Sequence, residues 1–199
     1  MEKLDVLKRI IENDFSKEQI DVMLKDVILA NTKDVKLKFD IYDFCNKKGI
    51  YSYSTGVMHK DGFKMATNGS VAIKIKDTYV SEFENKVINK KGETVSCRYP
   101  DFETIRPKAW DLIDMDVNKV KQAIKESKLD KDVMHYVCLD GKYFSIPVIK
   151  LFVTFVEACN PNVIGIKSDF LYGQIDNGEY CVAMSMGKIE SNGVIYQCN

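Results

Sequence analysis

The run Phe63-Lys64-Met65-Ala66-Thr67-Asn68-Gly69-Ser70-Val71-Ala72-Ile73-Lys74-Ile75 consists of two alternating segments hinged on an Asn-Gly pair. Side chains two positions apart on a strand share a face, so Phe63–Thr67 and Val71–Ile75 each read as a strand. Asn68-Gly69 is a tight-turn signal, because both central positions of a two-residue hairpin take positive φ, which these residue types tolerate. Upstream, Ile50-Tyr51-Ser52-Tyr53-Ser54 and Gly56-Val57-Met58-His59 alternate in the same way, and Asp61-Gly62 marks another turn. Downstream, a hairpin over 86–95 turns at Asn89-Lys90-Lys91-Gly92. Together these segments predict an antiparallel meander.

Arg98-Tyr99-Pro100 to Arg106-Pro107 follows the meander. Proline donates no backbone hydrogen bond, so this stretch reads as an ordered linker outside the sheet. Beyond it the pattern predicts a strand over Trp110–Met115, a helix over Val117–Leu129, a hairpin at Asp140-Gly141 and an apolar helix over Val148–Cys159 stopped by Asn160-Pro161. Strands at Val163–Lys167, Phe170–Ile175 and Tyr180–Met186 complete the series, and the last dozen residues read as a tail or a short extra strand. Before the meander, Leu4, Leu7, Ile10 and Ile11 recur at helical spacing, and Ser16-Lys17-Glu18-Gln19 has the form of a capping box opening a second helix. The expected organisation is an N-terminal helical extension (1–32), a first half (33–108) and a second half (109–199), with 33–199 able to form one compact unit. The fold class is α+β, with antiparallel sheets and helices on one side.

Composition excludes several functions. Twenty-nine basic residues balance twenty-nine acidic ones, so bulk positive charge does not drive nucleic-acid binding. No apolar run approaches the roughly 18 residues that span a membrane, and the charged start Met1-Glu2-Lys3-Leu4-Asp5 is unlike a secretory signal. The six cysteines form no CxxC pair, which fits reduced thiols in a cytoplasmic protein better than a metal site or disulfide framework. His59 and His135 each fall in an expected strand with no carboxylate beside them in sequence, and Asp101 and Glu103 lie in a proline-flanked turn. No phosphate loop, dinucleotide fingerprint, nucleophile elbow or HExxH motif is present. The expectation is therefore a non-enzyme with no cofactor and no metal. Lys121, Lys125 and Lys128, at i, i+4 and i+7, share one face of the middle helix. Such a stripe either tracks phosphates without reading bases or is an ordinary solvated face.

Three motifs, taken in order, carry a resemblance. Met65-Ala66-Thr67-Asn68-Gly69-Ser70-Val71-Ala72-Ile73 resembles the Ala-Thr-Asp-Gly-His-Arg-Leu-Ala segment of bacterial sliding clamps, the processivity subunit of the replicative DNA polymerase. Arg98–Pro107 is similar to that family's Tyr-Pro-Asp-(Phe/Tyr)-x-x-Val-(Ile/Leu)-Pro linker between its second and third domains. Tyr180–Met186 resembles its C-terminal Tyr-Val-Val-Met-Pro-Met strand, and Val148–Cys159 falls where the family has an apolar helix. The resemblance is patchy and spans about residues 50–186 of an abbreviated chain.

What the resemblance implies is a clamp-like accessory of DNA replication or repair, with a mobile-element variant as one origin. Its groove would take peptide motifs of polymerases or repair proteins. Carried over by position, the groove would be lined by Thr67, Gly69, Ala72, Pro100, Ile105, Val182 and Met184, an apolar slot in which a methionine can re-pack. The alternative for these residues is the core of the junction between the halves. Departures are Ser70-Val71 for the family's His-Arg, Ala72 for its leucine and Ser185 for its final proline. Duplex DNA, contacted through Lys121, Lys125 and Lys128, would need self-association of so short a chain into a ring. Two other readings stand beside this one. One is an interaction protein that keeps the fold without binding DNA, an adaptor or competitor for clamp-binding peptides. The other is a small enzyme using carboxylates or histidines brought together from distant positions.

Overall fold

Alternation in sequence becomes two chemically distinct faces of one sheet. The computed structural model describes residues 39–46, 51–77, 83–106, 110–129, 132–175 and 178–198, with the backbone alone at Ile105. All of these fall in one compact unit, Lys38–Asn199. The helical pair expected over 1–32 lies outside the described residues.

The first-half strands are β1 (Gly56–Lys60), β2 (Phe63–Thr67), β3 (Val71–Lys76), β4 (Lys86–Asn89) and β5 (Thr94–Val95). After the linker come helical turn α1 (Phe102–Ile105), β6 (Asp111–Leu112), helix α2 (Val117–Glu126), β7 (His135–Leu139), β8 (Lys142–Ser145) and helix α3 (Ile146–Cys159). Strands β9 (Val163–Lys167), β10 (Phe170–Gln174), β11 (Tyr180–Met184) and β12 (Val194–Gln197) follow. Among the described residues, nine strands form one sheet in the order β5-β4-β1-β2-β3-β11-β10-β9-β6, and three form a second, β12-β7-β8. The larger sheet is antiparallel throughout, and the β3–β11 pairing (Ala72 opposite Val182, Lys74 opposite Tyr180) joins the two sequence halves into it.

On its inner face, Val71, Ile73 and Ile75 of β3, Leu171 of β10 and Cys181 and Ala183 of β11 pack with Ile149, Phe152 and Phe155 of α3 in the main core. Helix α3 also touches α2 and both β7 and β8, so α2 and α3 lie on this one side, whereas the single turn of α1 lies on the other. Gly173 of β10 allows the approach, since a Cβ there would stand 2.8 Å from the Phe155 ring. The outer face carries a second cluster, Met65, Ala72, Tyr172, Tyr180 and Val182, covered by Phe102 from α1. Among the described residues no helix is long and apolar enough to cross a membrane.

Several local expectations are corrected. Ser52–Thr55 is a 3-10 turn rather than a strand, because the Ser54 and Thr55 hydroxyls donate back to Tyr51 O and Ser52 O, both at 2.7 Å. Asp61 and Gly62 both have positive φ, but at the next turn only Gly69 does. There the Asn68 carboxamide oxygen instead accepts from the backbone N–H of Ser70 and Val71. The strand expected over Trp110–Met115 is only two residues long, and Asp116 then caps α2 by accepting from the N–H groups of Asn118 and Lys119. Helix α2 ends at Glu126, where the Ser127 hydroxyl donates to Ile124 O, so Lys128 lies beyond it. Helix α3 starts two residues early, with Pro147 in its first turn, where a missing N–H costs nothing. The C-terminal tail contains a strand, and β12 runs parallel to β7, so the smaller sheet is mixed.

Candidate functional site

The site is built on the outer face of the larger sheet. Thr67 stands opposite Ala72 on β3, Ala72 opposite Val182 on β11, and Val182 opposite Tyr172 on β10. One row along, Phe170 pairs with Met184. The result is a transverse strip of small and apolar side chains across four strands, a product of register alone.

Over this strip lies the segment Tyr99–Arg106. The Tyr99 hydroxyl donates to Met65 O at 2.8 Å, and the Tyr180 hydroxyl donates to Phe102 O at 2.7 Å. Asp101 caps the single turn of α1 by accepting from Glu103 N at 3.0 Å, and Thr104 donates to Asp101 O. Glu103 forms an ion pair with Lys74, and Arg106 lies over the Tyr180 ring at 5.9 Å. Burial raises the phenol pKa values of both Tyr99 and Tyr180 above the usual tyrosine range. For Tyr180 the Glu103 carboxylate adds to the rise and the Arg106 guanidinium opposes it. Both phenols therefore stay protonated and act as donors that fix the segment.

Between this strap and the 67–71 loop is a groove of about 190 Å³. Six of the seven residues placed in a groove from the sequence line it: Thr67, Gly69, Ala72, Pro100, Val182 and Met184. The seventh, Ile105, is the last residue of α1. Thr67 turns its polarity away from the groove, its hydroxyl donating to Val71 O at 2.8 Å and accepting from Gly69 N at 3.0 Å. Val182 is buried whereas Met184 is 41% exposed, so a fixed floor meets a movable thioether wall. Sequence reasoning missed Tyr53, Phe102 and Phe170, which also line the groove. Phe102 stood within the linker motif and could have been included. Tyr53 was hidden by the strand expectation, and Phe170 depends on the β10–β11 register.

The other candidates are placed as follows. Lys121 on α2 pairs with Glu157 on α3 at 2.6 Å, Lys125 sits in the last turn of α2, and Lys128 lies past its end. The row of three lysines is thus partly neutralised and not wholly helical. His59 has a carboxylate partner after all, contributed from eighteen residues away. Its Nδ1 lies 2.8 Å from Asp77 Oδ2, and Lys64 holds the other Asp77 oxygen at 3.0 Å. This buried cluster joins β1, β2 and the end of β3. His135 Nδ1 lies 3.0 Å from the Tyr196 hydroxyl, the two rings stacked across the β7–β12 pair. Neither histidine lines the groove. Among the described residues, no group of three or more His, Cys, Asp or Glu side chains could hold a metal ion. Burial pushes the Cys45 thiol up to about 12 and the Cys159 thiol up to about 11, far from nucleophile chemistry at neutral pH.

The fold is similar to that of part of a DNA sliding clamp. Solved structures similar to the chain include the DNA polymerase III subunit beta from Pseudomonas aeruginosa, with TM-score 0.52 and 11% identity over 74% of this chain and 62% of that one. The Helicobacter pylori beta clamp bound to a DNA ligase peptide matches with TM-score 0.51 and 11% identity over 81% of this chain and 63% of that one. A Pseudomonas aeruginosa DnaN sliding clamp bound to griselimycin gives TM-score 0.51 and 12% identity, over 77% and 63%. The chain therefore spans less than two thirds of the length of these clamps. No protein-family model matches the sequence, and no curated protein matches it.

Proposed function

We propose that this chain is a non-catalytic, clamp-like accessory protein that binds short linear peptides of DNA replication or repair proteins in the groove beneath the Tyr99–Arg106 strap. The observation that carries the reading is the convergence of three sequence-distant segments, around Thr67, Pro100 and Val182, on one apolar groove. That one structurally similar clamp binds a DNA ligase peptide supports the same class of partner here. The wall residue Ala72 replaces the bulkier leucine of the family motif, so the preferred anchor differs in shape from that of other clamps.

The test is selection of random 12-residue peptides displayed on phage against the full chain, with Met184→Lys as the counter-target. Peptides enriched on the wild-type chain and bound about tenfold more weakly by Met184→Lys support the reading. No enrichment, or enrichment indifferent to Met184→Lys, refutes it. Tracking along duplex DNA is the less supported part, because Glu157 pairs with Lys121 at one end of the basic row. That pairing favours an adaptor or competitor for clamp-binding peptides over a DNA-encircling ring.

A further inference from the structure

The strap has a second side. Pro100 and Phe102, which wall the groove, also wall a larger cavity of about 370 Å³ on their opposite flank. Its apolar lining comes from Met58 of β1, Phe63 and Met65 of β2, and Tyr99. Met58, Phe63 and Met65 share the outer sheet face, since Met58 pairs with Met65 and Met65 with Lys74. The Tyr99 hydroxyl and Met65 carbonyl already bond each other, so the floor offers apolar and thioether contact.

Three carboxylates (Asp61, Asp101, Glu103) and two ammonium groups (Lys60, Lys74) also line the cavity. Lys74 is held by Glu103 and lies 4.4 Å from the Phe63 ring centroid, so its charge is neutralised locally. Asp61 stands exposed at the tip of the β1–β2 turn. With Lys74 and Glu103 paired, Asp61 and Asp101 stand against Lys60 alone, so the lining keeps a net negative charge, which suits a cation.

We propose that the peptide bound in the groove crosses the strap at Pro100 and seats its flanking residues in this second cavity, an apolar side chain over Met58 and Met65 and a Lys or Arg beside Asp61. This rests on the peptide-groove reading and extends it to the partner's chemistry. Proline contributes no N–H to the saddle, so an extended chain crosses it without meeting a competing donor. The cavities are separated by the width of one strap, a span that an extended peptide covers in a few residues at about 3.3 Å each. A partner would thus be recognised by two apolar anchors with a basic residue beyond the second, rather than by one anchor alone.

The probe is the most enriched peptide of the phage selection, synthesised with a fluorescein label and titrated by anisotropy against the full chain. Met184→Lys and Met58→Lys each weaken binding by about tenfold, Met58→Leu stays within about twofold, and Asp61→Asn weakens it by roughly threefold, an effect abolished by high salt. Circular dichroism checks that every variant is folded, and the exposed Asp61→Asn tests the proposal even if Met58→Lys does not fold. If Met184→Lys weakens binding while Met58→Lys and Asp61→Asn leave it unchanged, the two-cavity proposal falls and the groove reading stands. A peptide sensitive at Met58 but not at Met184 overturns both, as does a selection that enriches nothing.

Discussion

Two glycines show how the same substitution acts through different physics. Gly69 sits at φ +92, and an added Cβ there would meet nothing within 4 Å. Gly69→Ala therefore costs only backbone strain, about 1 kcal/mol. Gly173 has no such φ, but its Cβ would press on Phe155 at 2.8 Å and Phe152 at 3.2 Å in the core beneath α3. Gly173→Ala is an overpacking change expected to cost about 1–3 kcal/mol. Urea denaturation of the two variants checks this, with the larger loss expected for Gly173→Ala. The reverse order would mean that α3 shifts freely and that the close approach is not a constraint. At the same scale, the His59–Asp77–Lys64 cluster shows why a lone histidine in sequence is uninformative, since its partner arrives from another strand.

The strap is held by a few bonds whose donors are phenols, and this gives it a pH dependence. Tyr99 and Tyr180 have pKa values raised above the ordinary value of about 10. An acid whose folded pKa is raised loses its proton more readily in the unfolded chain. Its contribution to stability is thus fully present below pH 10 or so and declines as pH rises above it. The strap is expected to be indifferent to pH between about 7 and 9 and to loosen in the alkaline range. Tyr180→Phe removes the bond to Phe102 O, costs about 1 kcal/mol, and makes the alkaline decline shallower. Stability measured against pH from 7 to 11 for both proteins checks the sign, and an identical alkaline decline in the variant would show that Tyr180 does not contribute to it. The Lys74–Glu103 pair adds little by comparison, because Glu103 is largely exposed to solvent.

Across the whole molecule, the β3–β11 ladder makes one sheet out of two sequence halves. The same α3 rings pack beneath strands from both halves, so neither half has a core of its own. We expect a single cooperative transition for this unit. Trp110, the only tryptophan, stacks on Tyr172 in the second half at 5.8 Å and reports its unfolding by fluorescence. Hydrogen exchange of the 56–76 amides reports the first half. Equal free energies from the two probes are the expected outcome, and a lower value for 56–76 would show that the halves unfold separately. Cooperativity matters for the groove, whose walls come from both sides of that ladder.

By itself the sequence determined the strands around Asp61-Gly62, Asn89–Gly92 and Asp140-Gly141, the apolar helix stopped by Asn160, and the α+β class, because turn chemistry and hydrophobic period are local properties. It also contained the three motifs whose order resembles a sliding clamp. Where alternation competed with side-chain hydroxyls bonding their own backbone, as at Ser52–Thr55, the local reading was wrong. Tertiary structure alone decided which outer-face residues meet. The register that sets Ala72 against Val182 and Phe170 against Met184, and the laying of Phe102 across them, depend on contacts between residues up to a hundred or more positions apart. No spacing rule within a single segment encodes such pairings, because each strand's pattern specifies only its own two faces, not which neighbour it will face.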